Sequence, residues 1–195
     1  MNKLKVSRGG GSNTTYFGHK FETKTDFLKF ILLNLGFIES KIKKKNKISY
    51  SYLSKTTRDK TIVFASQRNF KLYIKHTYDI DVFRYPDEAC IVKCNNTGEI
   101  HVKILEKKEQ CVSGSVETKL WSGPSLKREY EIVFGGGFSV HYGFCVNEFL
   151  KKKLTSDNKK YRTLNEILQE NEIPIFFGDD DYYFDSVKKW FDNSL

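Results

Sequence analysis

The stretch that decides the fold is YPDEACIVKCNNTGEIHVKILEKKEQCVSGSVETK, residues 85–119. Two apolar runs, residues 89–93 and 100–105, flank the sequence NNTG at residues 95–98. Asparagine and glycine tolerate a positive φ, and asparagine and threonine side chains can cap the backbone of a turn. The stretch therefore predicts a β-hairpin.

The predicted hairpin brings acidic residues together at its open end. Asp87 precedes the first strand, and Glu106 and Lys108 close the second. Because antiparallel pairing sets the start of one strand beside the end of the next, we expect Asp87 to lie next to Glu106 and Lys108. Residues two apart on a strand share a face, so Lys107 should point to the opposite side. Two carboxylates suit Mg²⁺, which proteins usually hold with one or two carboxylates, waters and substrate phosphate. The lysine could orient or deprotonate the attacking water.

This layout of Pro86-Asp87, a hairpin and Glu106-x-Lys108 resembles the PD-(D/E)xK nuclease superfamily. Gln110 and the sequence GSVETKL at residues 114–120 are similar to a type II restriction endonuclease. The resemblance implies that Asp87 and Glu106 are metal ligands and that Lys108 is the catalytic lysine. It also implies that Gln110 lies beside the site on the same strand face. The alternative is a solvated hairpin with exposed acids and lysines.

Two further acids bear on the implied site. Glu88 follows Asp87 directly, so either acid could be the first ligand, and the position directly after proline favours Asp87. In the superfamily a glutamate of an amino-terminal helix often approaches the metal, and the resemblance gives that role to Glu22. It further implies cleavage of double-stranded DNA at a short specific sequence by a homodimer, because a two-fold dimer matches a palindromic site.

The overall charge favours a polyanionic partner. The chain has 195 residues, a formal net charge of +9 and a pI near 9.2, and basic surface releases counterions from nucleic acid. An AT-rich genome that favours lysine codons would give the same composition. The candidate phosphate contacts are Lys43, Lys44 and Lys45 in the densest basic run, and Lys119, Lys127 and Arg128 after the hairpin. A basic run is more often a solvated face.

Several classes of protein are disfavoured. No apolar stretch is long enough for a membrane span, and the first residues lack the apolar core of a signal peptide, so we expect a cytoplasmic protein. The triplet at residues 135–137 lacks the Gly-Lys-Ser/Thr ending of a phosphate loop, which predicts no nucleotide cofactor. The spacing of the cysteines does not suit zinc, so we expect reduced thiols. The acidic cluster at residues 179–181 is a rival metal site, although aspartates before a helix more often cap it.

The pattern along the chain predicts an α/β fold with a central mixed β-sheet flanked by helices on both faces, as in restriction endonucleases. We expect a flexible basic arm at residues 1–15 and a single domain at residues 16–195. The predicted helices are residues 16–37, a segment starting at 114–115 and ending at 122–124, and residues 144–154, 164–171 and 182–191. The predicted strands besides the hairpin are residues 61–66, 70–76, 130–134 and 173–177.

Three other functions remain open at this point. A repair or viral genome-processing nuclease of the same fold would read DNA structure rather than sequence. A non-catalytic DNA-binding module would keep the fold without needing Glu106. A protein-interaction domain would not bind duplex DNA at any salt concentration.

Overall fold

A computed structural model describes residues 19–44, 47–110 and 116–192, and these fold around one mixed β-sheet. Within the described residues the sheet has seven strands, which lie side by side in chain order. Strands β1 to β5 pair antiparallel, whereas β5, β6 and β7 run parallel. The strands are β1 Ile38–Lys44, β2 Lys47–Thr56, β3 Lys60–Ala65, β4 Glu88–Cys94, β5 Ile100–Lys108, β6 Phe138–Val146 and β7 Ile175–Phe177.

Helices cover both faces of the sheet, which confirms the predicted α/β architecture. Residues 19–24 are helical and precede the first full helix. The others are α1 Phe27–Asn34, α2 Gln67–Tyr78, α3 Val116–Trp121, α4 Gly123–Phe134, α5 Glu148–Leu154, α6 Lys159–Glu170 and α7 Tyr183–Asp192. A short 3₁₀ turn, Gly135–Gly137, joins α4 to β6.

The sheet separates two apolar cores. One face carries Val102 and Ile104 of β5 and packs against α2, α4, α5 and α6. We call this the α4 face. The other face carries Leu105 of β5 and packs against α1 and α7, and we call it the α7 face. Alternate residues of β5 therefore point to different cores, as the two-residue period of a strand requires.

The β4–β5 hairpin forms as the sequence predicts. Ala89 pairs with Ile104 and Lys93 pairs with Ile100. In the connection, Gly98 has a φ of +76° and its amide donates to the carbonyl oxygen of Cys94. Glycine suits this position because it has no Cβ to clash in the left-handed region.

The predicted helix over residues 16–37 is interrupted. Residues 16–18 lie outside the described part, and the rest forms the helical segment 19–24 and α1 with a break at Asp26. Asp26 is extended (φ −66°, ψ 95°), and its Oδ1 accepts a hydrogen bond from the amide of Lys29. The apolar spacing hid this break, because an N-cap aspartate restarts a helix without changing its apolar stripe.

The predicted strand at residues 70–76 is wrong, and so is the turn that its separation from the predicted strand at residues 61–66 implies at Arg68 and Asn69. Both lie in α2, whose buried residues are Phe70 and Ile74. A separation of four residues is the helical repeat, and the partly buried Tyr73, three residues after Phe70, packs against the same core. A short run of aromatic and β-branched residues does not by itself distinguish the two structures.

The interpretation of residues 122–134 is also wrong. The sequence SGP at residues 122–124 begins α4 rather than ending the preceding helix, with proline in the first turn, where its missing amide costs nothing. The expected strand at residues 130–134 is the second half of α4, and Tyr130 and Phe134 are its buried residues.

The boundaries after α4 differ as well. The expected helix at residues 144–154 begins only at Glu148, because Phe144 to Val146 end the buried strand β6. Helix α6 begins five residues before the predicted start at residue 164, and its N-cap is Asn158. The predictions of β7 and α7 are confirmed.

Most of the basic run lies in the hairpin β1–β2, where Lys41 and Lys43 are exposed on the edge strand β1. The sequence indicated no strands there. Among the described residues the free cysteines are Cys90, Cys94 and Cys145, and Cys111 lies outside them, as do the arm at residues 1–15 and the helix start at residues 114–115. Within the described ranges, the helices are too short or too polar to cross a lipid bilayer.

Candidate active site

Three charged side chains meet where β4 begins and β5 ends. Lys108 Nζ donates a hydrogen bond to Glu106 Oε2 at 2.8 Å and lies 4.0 Å from Asp87 Oδ2. The backbone amide of Lys107 donates to Asp87 Oδ2 at 2.7 Å and fixes that carboxylate against β5. The side chains of Asp87, Glu106 and Lys108 are 14% to 18% exposed. The hairpin thus brings Asp87 beside Glu106 and Lys108, which follow it by 19 and 21 positions in the sequence.

The site places two acids in a poorly solvated position. Burial raises the pKa of Glu106, Lys108 opposes that rise, and the negative charge of Asp87 adds to it. Two nearby carboxylates repel each other when both are ionised. A bound cation would relieve that repulsion, so the donor set fits a hard divalent metal ion. Among the described residues, no group of three or more His, Cys, Asp or Glu side chains could hold a metal, so the remaining ligands of such an ion would be water and substrate.

A cleft of about 510 Å³ opens above Glu106 and Lys108 on the α4 face. Its walls come from β6, α3, α4 and the segment before β4. The lining residues beyond those two are Arg84, Lys119, Ser122, Ser125, Leu126, Glu129 and Tyr142. Cations therefore outnumber acids along the cleft, which suits an anionic ligand.

Lys107 points to the α7 face, opposite to Glu106 and Lys108. Its Nζ donates to Glu88 Oε1 at 2.7 Å, and both side chains are almost fully buried. The amide of Phe27 also donates to Glu88 Oε1, at 2.8 Å. Glu88 therefore joins β4 to β5 and α1, and it does not line the cleft.

The structure does not bring Glu22 into the cleft. Its side chain is exposed on the helical segment 19–24 and lines a separate cavity of about 190 Å³, whose wall also includes Asp87. Its carbonyl oxygen accepts a hydrogen bond from Lys107 Nζ at 3.3 Å. A role for Glu22 in the cleft would require movement of this segment.

Gln110 follows the end of β5 and is buried. The side chain of Asn147 hydrogen-bonds to both backbone polar groups of Gln110. Asn147 Oδ1 accepts from the Gln110 amide at 3.4 Å, and Asn147 Nδ2 donates to the Gln110 carbonyl oxygen at 3.0 Å. Because Asn147 also caps α5, Gln110 fixes the end of β5 to the neighbouring strand and helix. It does not line the cleft.

The six predicted DNA contacts lie in different places. Lys119 is exposed in α3 and lines the cleft. Arg128 is exposed and pairs with Glu131. Lys127 is turned inward, 14% exposed, with Nζ donating to the carbonyl oxygen of Asn171 at 2.8 Å. Lys43 is exposed on β1, an edge strand remote from the cleft, Lys44 ends that strand, and Lys45 lies outside the described residues.

The rival acidic cluster is occupied by internal contacts. Asp179 accepts from Lys24 Nζ at 2.7 Å and from the amide of Glu148 at 2.6 Å, so it caps α5. Asp180 Oδ1 pairs with Lys151 Nζ at 2.5 Å. The cluster stabilises the chain around β7, and the capping interpretation accounts for it, although the helix that Asp179 caps is α5 and not α7.

Comparison with known proteins adds little to this geometry. No protein family and no curated protein matches the sequence. The crystal structure of an XisH family protein from Nostoc punctiforme PCC 73102 is similar over 78% of this chain and 88% of that chain, with 11% sequence identity and a TM-score of 0.32. That similarity is too low to support a functional argument. The case for function rests on the residues of the cleft.

Glu117, which does not line the cleft, holds helix α3 in position as one of the cleft walls. Glu117 of α3 is buried and accepts hydrogen bonds from Lys153, from Lys160 at 2.7 Å and from the Tyr161 hydroxyl at 2.9 Å. The hydrogen bonds from Lys153 and Lys160 lower the pKa of Glu117 to about 2. These contacts hold α3, and with it Lys119, against α5 and α6.

Glu117→Ala is expected to destabilise the protein by about 2 kcal/mol, because it leaves two lysines and a tyrosine without their shared acceptor. Urea unfolding measures the change. Glu166→Gln, at an exposed position of α6, is the control and should leave the unfolding midpoint unchanged. A Glu117→Ala midpoint equal to that of the wild type would show that α3 is held by its apolar contacts alone.

Sequence reasoning missed two charged residues of the cleft. Arg84 and Glu129 form a bidentate pair, with Nε to Oε1 at 2.8 Å and Nη2 to Oε2 at 2.7 Å. Arg84 stands three residues before Asp87, a position that could have drawn attention. The expected strand at residues 130–134 gives Glu129 no position beside the hairpin. The spacing of Leu126, Tyr130 and Phe134 is the helical signal that was available.

A pair of histidines lies on the α7 face, away from the cleft. His101 Nδ1 is 3.3 Å from His141 Nε2 on the adjacent parallel strand. Burial lowers the pKa of His141 to about 4, and the neighbouring Lys103, His101 and Lys127 add to that effect, whereas Glu172 opposes it. His141 is therefore neutral in the folded protein under conditions where an unfolded histidine begins to bind protons.

Because of His141, the free energy of unfolding should fall as the solution becomes acidic. Its contribution is fully present above the unfolded pKa of about 6.5 and is lost as the pH falls toward about 4, because the unfolded chain binds the proton first. Chemical unfolding between pH 7 and pH 4 should show a shallower loss of stability in His141→Gln than in the wild type. Parallel curves for the two proteins would rule out this contribution.

Proposed function

We propose that the protein is a Mg²⁺-dependent endonuclease that hydrolyses phosphodiester bonds of double-stranded DNA. The observation that carries the proposal is the meeting of Asp87, Glu106 and Lys108, of which Glu106 and Lys108 line a cleft that also has Arg84 and Lys119 in its walls. Two carboxylates in a poorly solvated site suit a hard divalent cation, and the cationic walls suit a phosphodiester.

Each residue has a separate part in this proposal. Asp87 and Glu106 would hold the ion, and the amide of Lys107 keeps the Asp87 carboxylate in place. Bound there, Mg²⁺ supplies positive charge that stabilises the negative charge developing on the phosphate. Lys108, held by Glu106, is placed to donate a hydrogen bond to the attacking water and orient it. Tyr142 and Leu126 give the cleft apolar wall that limits water around the reacting groups.

We further propose a type II restriction enzyme that acts as a homodimer. The proposal follows from the resemblance of residues 86–120 to that family together with one candidate site per chain. Two copies related by a two-fold axis would cut the two strands of a palindromic site. A nuclease that reads DNA structure shares all of the site geometry, so the pattern of products distinguishes the two.

The test is digestion of a defined supercoiled plasmid in Mg²⁺ and, in parallel, in EDTA. We expect discrete fragments in Mg²⁺ and none in EDTA. A smear in Mg²⁺ would support a nuclease without sequence specificity and contradict the restriction enzyme. No cleavage in either Mg²⁺ or Mn²⁺ would contradict nuclease activity on duplex DNA.

A further inference from the structure

The cleft holds a second group of polar side chains beside the candidate catalytic cluster. Arg84 and Glu129 come from different elements, 45 residues apart, and join as a two-bonded guanidinium–carboxylate pair. Both side chains keep contact with solvent, at 48% and 30% exposure. A pair in this position can exchange partners without unfolding, because neither group is sealed in the core.

The guanidinium of Arg84 is suited to a phosphate as well as to a carboxylate. Its planar donors match two oxygens of either group in the same bidentate arrangement. Lys119 lies on the same cleft and makes no ion pair with any residue in the described ranges. Its charge is therefore available to a second anion without breaking an internal contact.

A tyrosine beside the pair has an unused hydroxyl. Tyr130 is 3% exposed, and its hydroxyl has no hydrogen-bond partner among the described residues. Burial raises the pKa of Tyr130, and the charges that act on it are those of Glu106, Arg84, Glu129 and Asp87. A buried hydroxyl without a partner is costly. The Tyr130 ring lies 6.2 Å from that of Tyr142, which lines the cleft, so a phosphate that displaced Glu129 could supply the missing partner.

We propose that Arg84, Lys119 and the Tyr130 hydroxyl form a second phosphate subsite, which Glu129 occupies as an internal carboxylate until DNA displaces it. The inference rests on the proposed function, because it assigns the subsite to a phosphate that neighbours the one held at Asp87 and Glu106. Exchange of the Glu129 carboxylate for a phosphate keeps the bidentate contact of Arg84 and opens the pair toward Tyr130. Glu129 thereby makes the empty cleft less attractive to weakly bound anions.

The test is the affinity for short random-sequence duplex DNA, measured by fluorescence anisotropy in Ca²⁺ over a range of salt concentrations. Arg84→Ala should weaken binding and reduce the slope of log affinity against log salt by about 1. Glu129→Gln should tighten binding, because Arg84 no longer has an internal competitor. Tyr130→Phe should weaken binding by about two- to tenfold, the value of one hydrogen bond. Arg162→Ala and Glu166→Gln are the matched charge controls on α6, outside the cleft.

The double variant Arg84→Ala/Glu129→Gln separates this inference from two simpler accounts. We expect it to bind no more tightly than Arg84→Ala, since Glu129 acts through Arg84. If Glu129→Gln tightens binding equally in both backgrounds, Glu129 acts only as a repulsive charge and the subsite is contradicted. If Glu129→Gln weakens DNA binding as Arg84→Ala does, the ion pair only holds α4 against the segment before β4, and the subsite is again contradicted.

Cleavage by the wild type in Mg²⁺, measured in parallel, distinguishes failure of the subsite from failure of the proposed function. Cleavage together with unaltered binding by Glu129→Gln would overturn the subsite and leave the nuclease intact. Weaker DNA binding by Arg84→Ala and tighter DNA binding by Glu129→Gln, without any cleavage by the wild type, would support the phosphate subsite and contradict the nuclease. A wild type that does not bind duplex DNA would overturn the subsite as a DNA contact.

Discussion

Lys108→Ala is expected to lower the rate of DNA cleavage by about 10²- to 10⁴-fold, the usual contribution of a positioned proton-transfer or hydrogen-bonding group. Lys108 donates a side-chain hydrogen bond to Glu106, and its Nζ lies 4.0 Å from Asp87 Oδ2. Its loss removes both the donor for the attacking water and the cation that offsets two acids. The measurement is the single-turnover rate of plasmid cleavage at saturating Mg²⁺.

Two controls accompany this variant. Lys108→Arg keeps the positive charge but changes the reach and shape of the donor, and we expect most of the loss to remain. Lys152→Ala removes an exposed lysine of α5 that lies outside the cleft and should cut at the wild-type rate. If Lys108→Ala retained more than about a tenth of the wild-type rate while folded by circular dichroism, its proposed role would be contradicted.

Lys107→Met is expected to destabilise the protein by about 3–5 kcal/mol, as removal of one member of a buried ion pair does. The substitution leaves the Glu88 carboxylate buried without its cation, although the amide of Phe27 still donates to it. The neighbouring Lys108→Ala should cost less, because its side chain is partly solvated. Urea unfolding of the two variants at neutral pH tests this order.

The destabilisation caused by Lys107→Met should be smaller at acid pH than at neutral pH. Burial already raises the pKa of Glu88 in the wild type, and removal of Lys107 raises it further. Such a group contributes most stability below its unfolded pKa and loses that contribution as the pH rises through the folded value. The double variant Glu88→Gln/Lys107→Met keeps an acceptor for Phe27 and should recover most of the stability at neutral pH. Equal destabilisation of the single and double variants would show that lost packing, and not an unpaired charge, is the cause.

The hairpin and its three charged residues could be predicted from sequence because the signals are local. A turn sequence at residues 95–98 between two apolar runs fixes the register, and the two-residue period then decides that Lys107 and Lys108 point to opposite faces. The mixed sheet also follows from the order of apolar segments, and the structure confirms it. No long-range information is needed for either step.

The errors fall where short apolar runs allow two structures. Residues 70–76 and 130–134 contain enough aromatic and β-branched residues for a strand, yet Phe70 with Ile74 and Tyr130 with Phe134 mark buried helical faces. A strand at residues 130–134 would leave Glu129 away from the site. The pairing of Glu129 with Arg84 is a tertiary contact, which no local sequence pattern predicts.

The implied roles of Glu22 and Gln110 show a different limit. Both roles follow from a resemblance that specifies a type of residue and an approximate position. In the structure the Glu22 side chain lies on another cavity, and Gln110 is held by Asn147 through its backbone. The orientation of these side chains depends on how the helical segment 19–24 and α5 pack on the hairpin, and sequence spacing carries no information about that packing.

The most direct test of the candidate site compares plasmid cleavage by the wild type, Asp87→Asn and the control Glu166→Gln in Mg²⁺. Asparagine keeps the shape of Asp87 and an oxygen for the Lys107 amide but removes the negative charge that a divalent cation requires. The proposed site predicts cleavage by the wild type and the control, and none by a folded Asp87→Asn. Undiminished cleavage by Asp87→Asn would contradict it.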